Sequence, residues 1–146
     1  MTIHIAPTAS VHPDAQIDDE VEIGAFSVVG PDACIKSGSR LLNSVTIMGH
    51  VTIGHDNVIY PNVVIGGEPQ DISYAGSDTQ VVIGDGNTIR EGVTINRGSE
   101  KEDGITRICA DASPRIAFGR SPLAPIIVRR APRAAGGRSD TRRRGR

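Results

Sequence analysis

VEIGAFSVVGPDACIKSGSRLLNSVTIMGHVTIGHDNVIYPNVVIG, residues 21–66, decides the fold. An aliphatic side chain stands at every sixth position: Ile23, Val29, Ile35, Leu41, Ile47, Ile53, Ile59 and Ile65. Traced toward the N-terminus, the series takes in Ile17, Val11 and Ile5, eleven consecutive hits without a slip. Four places after each comes a second series, from Ala9, Ala15 and Val21 to Asn57 and Val63, mostly small or β-branched. Gly often follows the aliphatic, as at Gly24, Gly30, Gly54 and Gly66. A period of six matches neither a helix of 3.6 residues per turn nor an alternating strand. It fits a β-solenoid, in which each unit supplies one short strand and one corner and three units close a triangular coil. Successive coils then stack by parallel strand pairing. The spacing predicts about five such coils over residues 3–108, with Ile23 to Ile65 of the series inside. Each buried Ile or Val contributes roughly 1.5–3 kcal/mol. A stacked column of them can therefore hold a chain whose aromatics are only Phe26, Tyr60, Tyr74 and Phe118.

Two interruptions stand out. GEPQDISYAGSDTQ, Gly67–Gln80, is polar and Gly-rich and is expected to loop out of one corner before the register resumes at Ile83, Ile89 and Ile95. EKEDG, Glu100–Gly104, reads as a shorter excursion. Loops on a rigid scaffold are where chemistry concentrates. Beyond Ile108 the character changes. Residues 1–108 carry 6 Lys/Arg against 15 Asp/Glu, a balance of −9, while 109–146 carry 10 Arg against 2 Asp, a balance of +8. The second segment is rich in Arg, Pro and Gly, and too little of it is apolar to offset the entropy of ordering. A disordered basic tail over 109–146 is expected, and the abrupt switch reads as a change of reading frame in the gene. Cys34 and Cys109 fall in different segments with no zinc or redox spacing, so neither metal nor cofactor is expected. MTIHIAPTAS lacks a basic and an apolar signal region, and no apolar run reaches membrane-span length, which points to a cytoplasmic chain.

The stretch Gly66–Ser99 resembles the hexapeptide-repeat UDP-N-acetylglucosamine acyltransferases of lipid A synthesis. The residues that carry the resemblance are Pro69-Gln70-Asp71, Tyr74-Ala75-Gly76, Ile83-Gly84-Asp85, Ile89-Arg90-Glu91 and Val93-Thr94-Ile95-Asn96-Arg97-Gly98-Ser99, and the opening IHIAPTASVHPDAQI also fits. It covers residues 1 to about 108. It implies an all-β, left-handed parallel β-helix, an exception to the right-handed crossover rule that holds in about 98% of cases. It also implies transfer of an (R)-3-hydroxyacyl group from acyl carrier protein to the 3-hydroxyl of UDP-N-acetylglucosamine, in a homotrimer with sites between neighbouring solenoids. Carried onto this chain, it makes Gln70 and Asp71 the sugar contacts, since an amide and a carboxylate can share several hydrogen bonds with a polyhydroxylated ring. The competing reading is that the pair merely builds an Asx-type turn.

This chain departs from the family pattern in three places. Ser73 stands where the family often has Lys, and Asn96 where it often has His. No HxxHD-like segment, which holds the family's catalytic His, follows Ile108. That His would take the proton of the attacking hydroxyl, a task for a base with a pKa near neutrality. No catalytic residue is therefore assigned here, and a fragment of little activity is expected. His4 and His12 lie near the N-terminal end, and His50 and His55 are placed at corners. Two alternatives follow from other features. The His50/His55 spacing allows a γ-type carbonic anhydrase-like solenoid, which would need a third His ligand. Arg129-Arg130 and Arg142-Arg143-Arg144 allow a non-catalytic solenoid whose tail attracts nucleic acid non-specifically.

Overall fold

The computed structural model describes residues 2–101 and 103–110. Fifteen short strands follow one another among them with no intervening helix, and they sort by threes onto three faces, each a parallel five-stranded sheet. The first face holds β1 (His4–Ile5), β4 (Glu22–Ile23), β7 (Arg40–Leu41), β10 (Val58–Ile59) and β13 (Thr88–Ile89). The second holds β2 (Ser10–Val11), β5 (Val28–Val29), β8 (Thr46–Ile47), β11 (Val64–Gly67) and β14 (Thr94–Asn96). The third holds β3 (Gln16–Ile17), β6 (Ala33–Ile35), β9 (His50–Ile53), β12 (Gln80–Ile83) and β15 (Ile105–Ile108). One pass over the three faces is a coil, and there are five. The register is strict: Ile5 pairs with Ile23, Val29 with Ile47, Ile35 with Ile53, and Ile59 with Ile89.

The period-six aliphatics line the interior. Ile23 through Ile65 of the series, with Ile83, Ile89 and Ile95, are each at most 2% exposed. The small residues two places before them are buried as well, including Val21, Ala33, Val45, Val51, Val63, Val81 and Val93, so each unit contributes two inward positions. The first coil differs: Ile5 is 45% exposed, and Val11 and Ile17 are half-buried.

Some inward positions are polar, and each finds partners in the neighbouring coil. Ser39 donates to the Gly54 carbonyl and accepts from the Asn57 N–H. Asn57 donates to the His55 and Gly84 carbonyls and accepts from the Asn87 N–H. This ladder satisfies backbone groups that the corner would otherwise leave buried and orphaned. The turn itself comes three places after the aliphatic. Glu20, Phe26, Ser44, Asp56 and Asn62 sit there with φ between 53° and 62°, in the left-handed region, and Gly38, Gly86 and Gly92 take the same place in other units.

The excursion predicted over Gly67–Gln80 is shorter by one residue at each end. Gly67 belongs to β11 and pairs with Asn96, and Gln80 belongs to β12 and pairs with His50. The ladder groups of both residues are satisfied by neighbouring coils, which leaves residues 68–79 to loop out. Ile83 follows Ile65 by 18 residues instead of 6, so the insertion is 12, or two whole units, and the series stays in phase across it. The second insertion is 7 residues, since Ile108 follows Ile95 by 13, and it shifts the phase by one. The tail expected over 109–146 lies outside the described residues except for Cys109 and Ala110.

Candidate functional site

Both excursions leave the same corner, between the second and third faces, in consecutive coils: residues 68–79 join β11 to β12, and residues 97–104 join β14 to β15. Stacked strands lie about 4.8 Å apart, so the two loops rise side by side and bond to each other.

A β-bulge launches the first loop. Pairing between β11 and β14 shifts between Ile65 and Gly67. Gly66, between them, has φ +89° and a Cβ position only 1.8 Å from the Met48 carbonyl oxygen, so no larger residue fits. Bulges of this kind re-aim the chain beside functional sites. The Asn96 amide donates to the Glu68 carbonyl at 3.0 Å, and the Arg97 N–H to the Gly67 carbonyl at 2.9 Å, which fixes the loop's root to the coil below.

Asp71 is the hub of the loop. Its Oδ1 accepts from the Ser73 N–H (2.9 Å) and the Ser73 hydroxyl (2.7 Å), and lies 3.1 Å from the Lys101 ammonium. Its Oδ2 accepts from the Ser99 hydroxyl at 2.9 Å. The Ser73 backbone and hydroxyl bonds, then Ser99 and Lys101, hold the carboxyl well below the usual Asp range. Glu100 reaches the other way. Its Oε1 accepts from the Ser77 and Ala75 N–H groups, and these bonds, those of Ser77 foremost, hold it below the usual Glu range. The Asx turn considered for Asp71 is therefore present, and the same carboxylate also ties the two excursions together. Gln70 is exposed and makes no side-chain hydrogen bond among the described residues.

Arg97 lies under the loop. Its Cδ and Nε are 3.1 and 3.2 Å from the position a Cβ would take on Gly49, and its guanidinium sits 5.9 Å from the Tyr74 ring centroid. The Nε is buried and has no hydrogen-bond partner among the described residues, and the same holds for the Thr79 hydroxyl. Nothing in the sequence marks Arg97, Ser99, Glu100 or Lys101 as partners of the first loop. The available signal was that two insertions occur at the same corner of successive coils.

Other residues carrying the resemblance serve the scaffold. Asp85 accepts from the His55 N–H at 2.6 Å. Arg90 pairs with Glu91 and stacks 4.2 Å from the Tyr60 ring centroid. His50, placed at a corner from the sequence, instead begins β9, because it pairs with Gln80 across the ladder; its Nδ1 lies 3.5 Å from Asp78 of the loop. His55 does sit at a corner, with its Nδ1 2.9 Å from the Ser37 hydroxyl. Among the described residues no group of three or more His, Cys, Asp or Glu comes together, so the carbonic anhydrase reading lacks its third ligand there. The Arg clusters behind the nucleic-acid reading lie outside the described residues. A hollow lined by Ile3, His4, Ile5, Glu22, Leu41 and Leu42 lies on the first face, away from this corner, with His4 and Glu22 its only titratable groups. No described helix is long and apolar enough to cross a membrane.

Known proteins give a consistent picture. No family model matches the sequence. The chain is 51% identical over 107 residues to an acyl-[acyl-carrier-protein]–UDP-N-acetylglucosamine O-acyltransferase of Herminiimonas arsenicoxydans, covering 73% of this chain and 41% of that protein. It is 48% identical over 104 residues to the enzyme of the same name from Thermodesulfovibrio yellowstonii, covering 71% and 40%. Among solved structures, the UDP-N-acetylglucosamine acyltransferase of Bacteroides fragilis superposes with a TM-score of 0.71 at 37% identity, over 73% of this chain and 41% of that one. That of Francisella novicida gives 0.70 at 42% identity, over 72% and 38%. The chain thus spans about two-fifths of the length of the relatives it matches. The fold is the left-handed parallel β-helix of these structures. By sequence and by fold, residues 1 to about 108 belong, at partial length, to the acyl-[acyl-carrier-protein]–UDP-N-acetylglucosamine O-acyltransferases.

Proposed function

We propose that this solenoid is the sugar-binding part of an O-acyltransferase. In the complete reaction, an (R)-3-hydroxyacyl group passes from acyl carrier protein to the 3-hydroxyl of UDP-N-acetylglucosamine, a step of lipid A synthesis, in a cytoplasmic homotrimer. The observation that carries this reading is the corner where loop 68–79 presents an exposed Gln70 next to Asp71, whose ionised carboxylate is held by bonds to the next coil. An amide and a carboxylate presented by one loop suit a ring with several hydroxyls. The activity for which relatives at 42–51% identity are named supports the assignment.

The reaction needs a base for the attacking hydroxyl, and its loss typically costs about 10²–10⁴ in rate. The four histidines of this sequence are His4, His12, His50 and His55, and none lies in a segment like the family's catalytic one. The 146-residue chain alone should therefore turn over little or no hydroxyacyl carrier protein with UDP-N-acetylglucosamine, while still binding the sugar nucleotide. Titration of the labelled chain followed by NMR is the test. Gln70→Ala removes no internal bond and should weaken binding while leaving the fold intact. Unchanged affinity would remove Gln70 from the site, and turnover at an ordinary enzymatic rate would show that another residue, His50 beside Asp78 foremost, supplies the base.

A further inference from the structure

The corner between the third and first faces carries a row of carboxylates. Residues 18–20, 36–38, 54–56 and 84–86 form it, one unit above another in successive coils. Asp19 and Asp85 hold one place in the unit, and Glu20 and Asp56 the next, the left-handed place that Gly38 and Gly86 also take. All four acids are exposed. Lys36 is the only Lys or Arg of these units, and it pairs with Asp18, which leaves the other four acids without an ion pair among the described residues. Asp85 is fixed by the His55 N–H at 2.6 Å, and an Asp56 carboxylate oxygen fills the space that a Cβ on Gly38 would need. With strands stacked about 4.8 Å apart, the four carboxylates fall within about 15 Å along the axis. Neighbours in the row are closer than the Debye length of about 8 Å at physiological salt, so they repel. The corner of the two excursions holds more acids, but most there have partners: Asp71 with Lys101, Asp103 with Arg107, Asp14 with His12, Asp78 with His50, and Glu100 with the Ser77 and Ala75 N–H groups.

The chain arrives at this same corner after β15. The Gly84 N–H donates to the Ile108 carbonyl at 2.8 Å, and the Ala110 nitrogen lies 2.5 Å from where a Cβ on Gly84 would stand. Cys109 and Ala110 therefore stack on the unit that carries Asp85. Residues 111–146 lie outside the described residues; in sequence they hold ten Arg against Asp111 and Asp140, a balance of +8 facing the −9 of residues 1–108. An extended chain spans about 3.3 Å per residue, so Arg115 has the reach for Asp85 and Asp56, one and two coils below, and Arg120 for Asp19 and Glu20. A guanidinium suits such a partner, because its planar fork meets a carboxylate through two parallel hydrogen bonds. The tether adds to this, since a short linker holds the two partners at an effective concentration on the order of millimolar. From this we infer that the corner between the third and first faces is a docking surface for an arginine-rich segment, and that residues 111–146 of this chain are its occupant. The inference stands apart from the sugar-binding reading, which concerns a different corner.

Paramagnetic broadening in the full 146-residue chain is the test. A nitroxide is attached at Ser139→Cys, between Arg138 and Arg142, with Cys34→Ser and Cys109→Ser removing the native thiols. Undocked, a label 29 residues past Ala110 would stand about 30 Å away from it on average. Docked, it should broaden the amides of His55, Asp56, Asp85 and Gly86 at low salt. The broadening should disappear at about 1 M salt, where the Debye length falls to about 3 Å. It should also weaken in Asp56→Asn/Asp85→Asn, which keeps an acceptor for the His55 N–H and a residue type that tolerates the left-handed place at 56. Absent broadening overturns the inference, and so does broadening centred on residues 68–79 and 97–104. Broadening that survives both salt and the double substitution removes its electrostatic basis. A mixture of labelled chain with isotope-enriched, unlabelled chain identifies the occupant: broadening of the enriched copy would mean that the segment comes from another molecule, against the intramolecular assignment. If the nitroxide disturbs folding, the chain without it still decides. The same amides should then shift with added salt, and shift less in Asp56→Asn/Asp85→Asn; equal shifts overturn the inference as well.

Discussion

Gly66→Ala puts the root of the loop to a quantitative test. Gly66 is buried, has φ +89°, and would place a Cβ 1.8 Å from the Met48 carbonyl oxygen and 2.5 Å from Val51 Cγ2. Gly76, near the loop's tip, has almost the same φ, +90°, but nothing within 4 Å of its Cβ position. The pair therefore separates conformational strain from steric overlap. An L-residue in the left-handed region costs roughly 1–2 kcal/mol, and that is the whole expectation for Gly76→Ala. Gly66→Ala adds overpacking against backbone, which cannot swing aside as a side chain can, at roughly 1–3 kcal/mol more. The expected loss is about 2–5 kcal/mol, which for a domain near 100 residues lowers Tm by at least about 8 °C. Thermal unfolding of both variants by circular dichroism gives the comparison, and hydrogen exchange over Gln80–Ile83 locates the damage. If Gly66→Ala melts no lower than Gly76→Ala, the bulge is not the rigid root described here and the placement of the loop above it loses its physical basis.

Further outcomes follow from the same structure. Asn57→Ala removes two donated bonds and one accepted bond at a side chain with no exposure, and at about 1 kcal/mol each it should destabilise by about 3 kcal/mol in denaturant unfolding. Phe26→Gly relieves a positive φ of 60° at a ring that is 68% exposed, so it should stabilise by about 1 kcal/mol and raise Tm by roughly 4 °C. The depressed pKa values of Asp71 and Glu100 fix the sign of the loop's acid response. Their contribution is complete above the ordinary carboxylate pKa of about 4 and is lost as the pH falls from there through the lower folded-state values. Tyr74 fluorescence in a Tyr60→Phe background should report loop release in acid, and Asp71→Asn should flatten that profile.

The interior was legible because the inward positions recur with a fixed period and almost every one is aliphatic; no other regular structure asks for a large apolar residue at every sixth place. The first excursion was legible by its polarity, but its ends were not, because Gly67 and Gln80 owe their strand conformation to ladder partners in other coils, Asn96 and His50, about 30 residues away. The polar inward residues Ser39 and Asn57 break the apolar pattern, and only the stacking shows that each supports the corner of the next coil. The left-handed position three places after the aliphatic was hidden because Glu, Phe and Ser occupy it as well as Gly, Asp and Asn. The pairing of β15 with β12 was hidden by the phase shift: an insertion of 7 puts Ile108 one place out of the series that an insertion of 12 had left intact.

The candidate site follows a different rule from the scaffold. Gln70 and Asp71 were singled out by the family resemblance, but what surrounds them is set by geometry that no local pattern contains. Two insertions at one corner of consecutive coils must lie against each other, because parallel stacking holds equivalent positions about 4.8 Å apart. A polar loop held that close to another needs partners, and Asp71 and Glu100 supply them in opposite directions, one from each excursion. The turn-forming and ligand-binding readings of Asp71 therefore draw on the same oxygens. Ser73 lies two residues away in the same loop and fixes the turn. Ser99 and Lys101 come from the neighbouring coil and tie that turn to it. The local half of Asp71's bonding thus shapes the loop, and the non-local half sets where the loop stands on the scaffold.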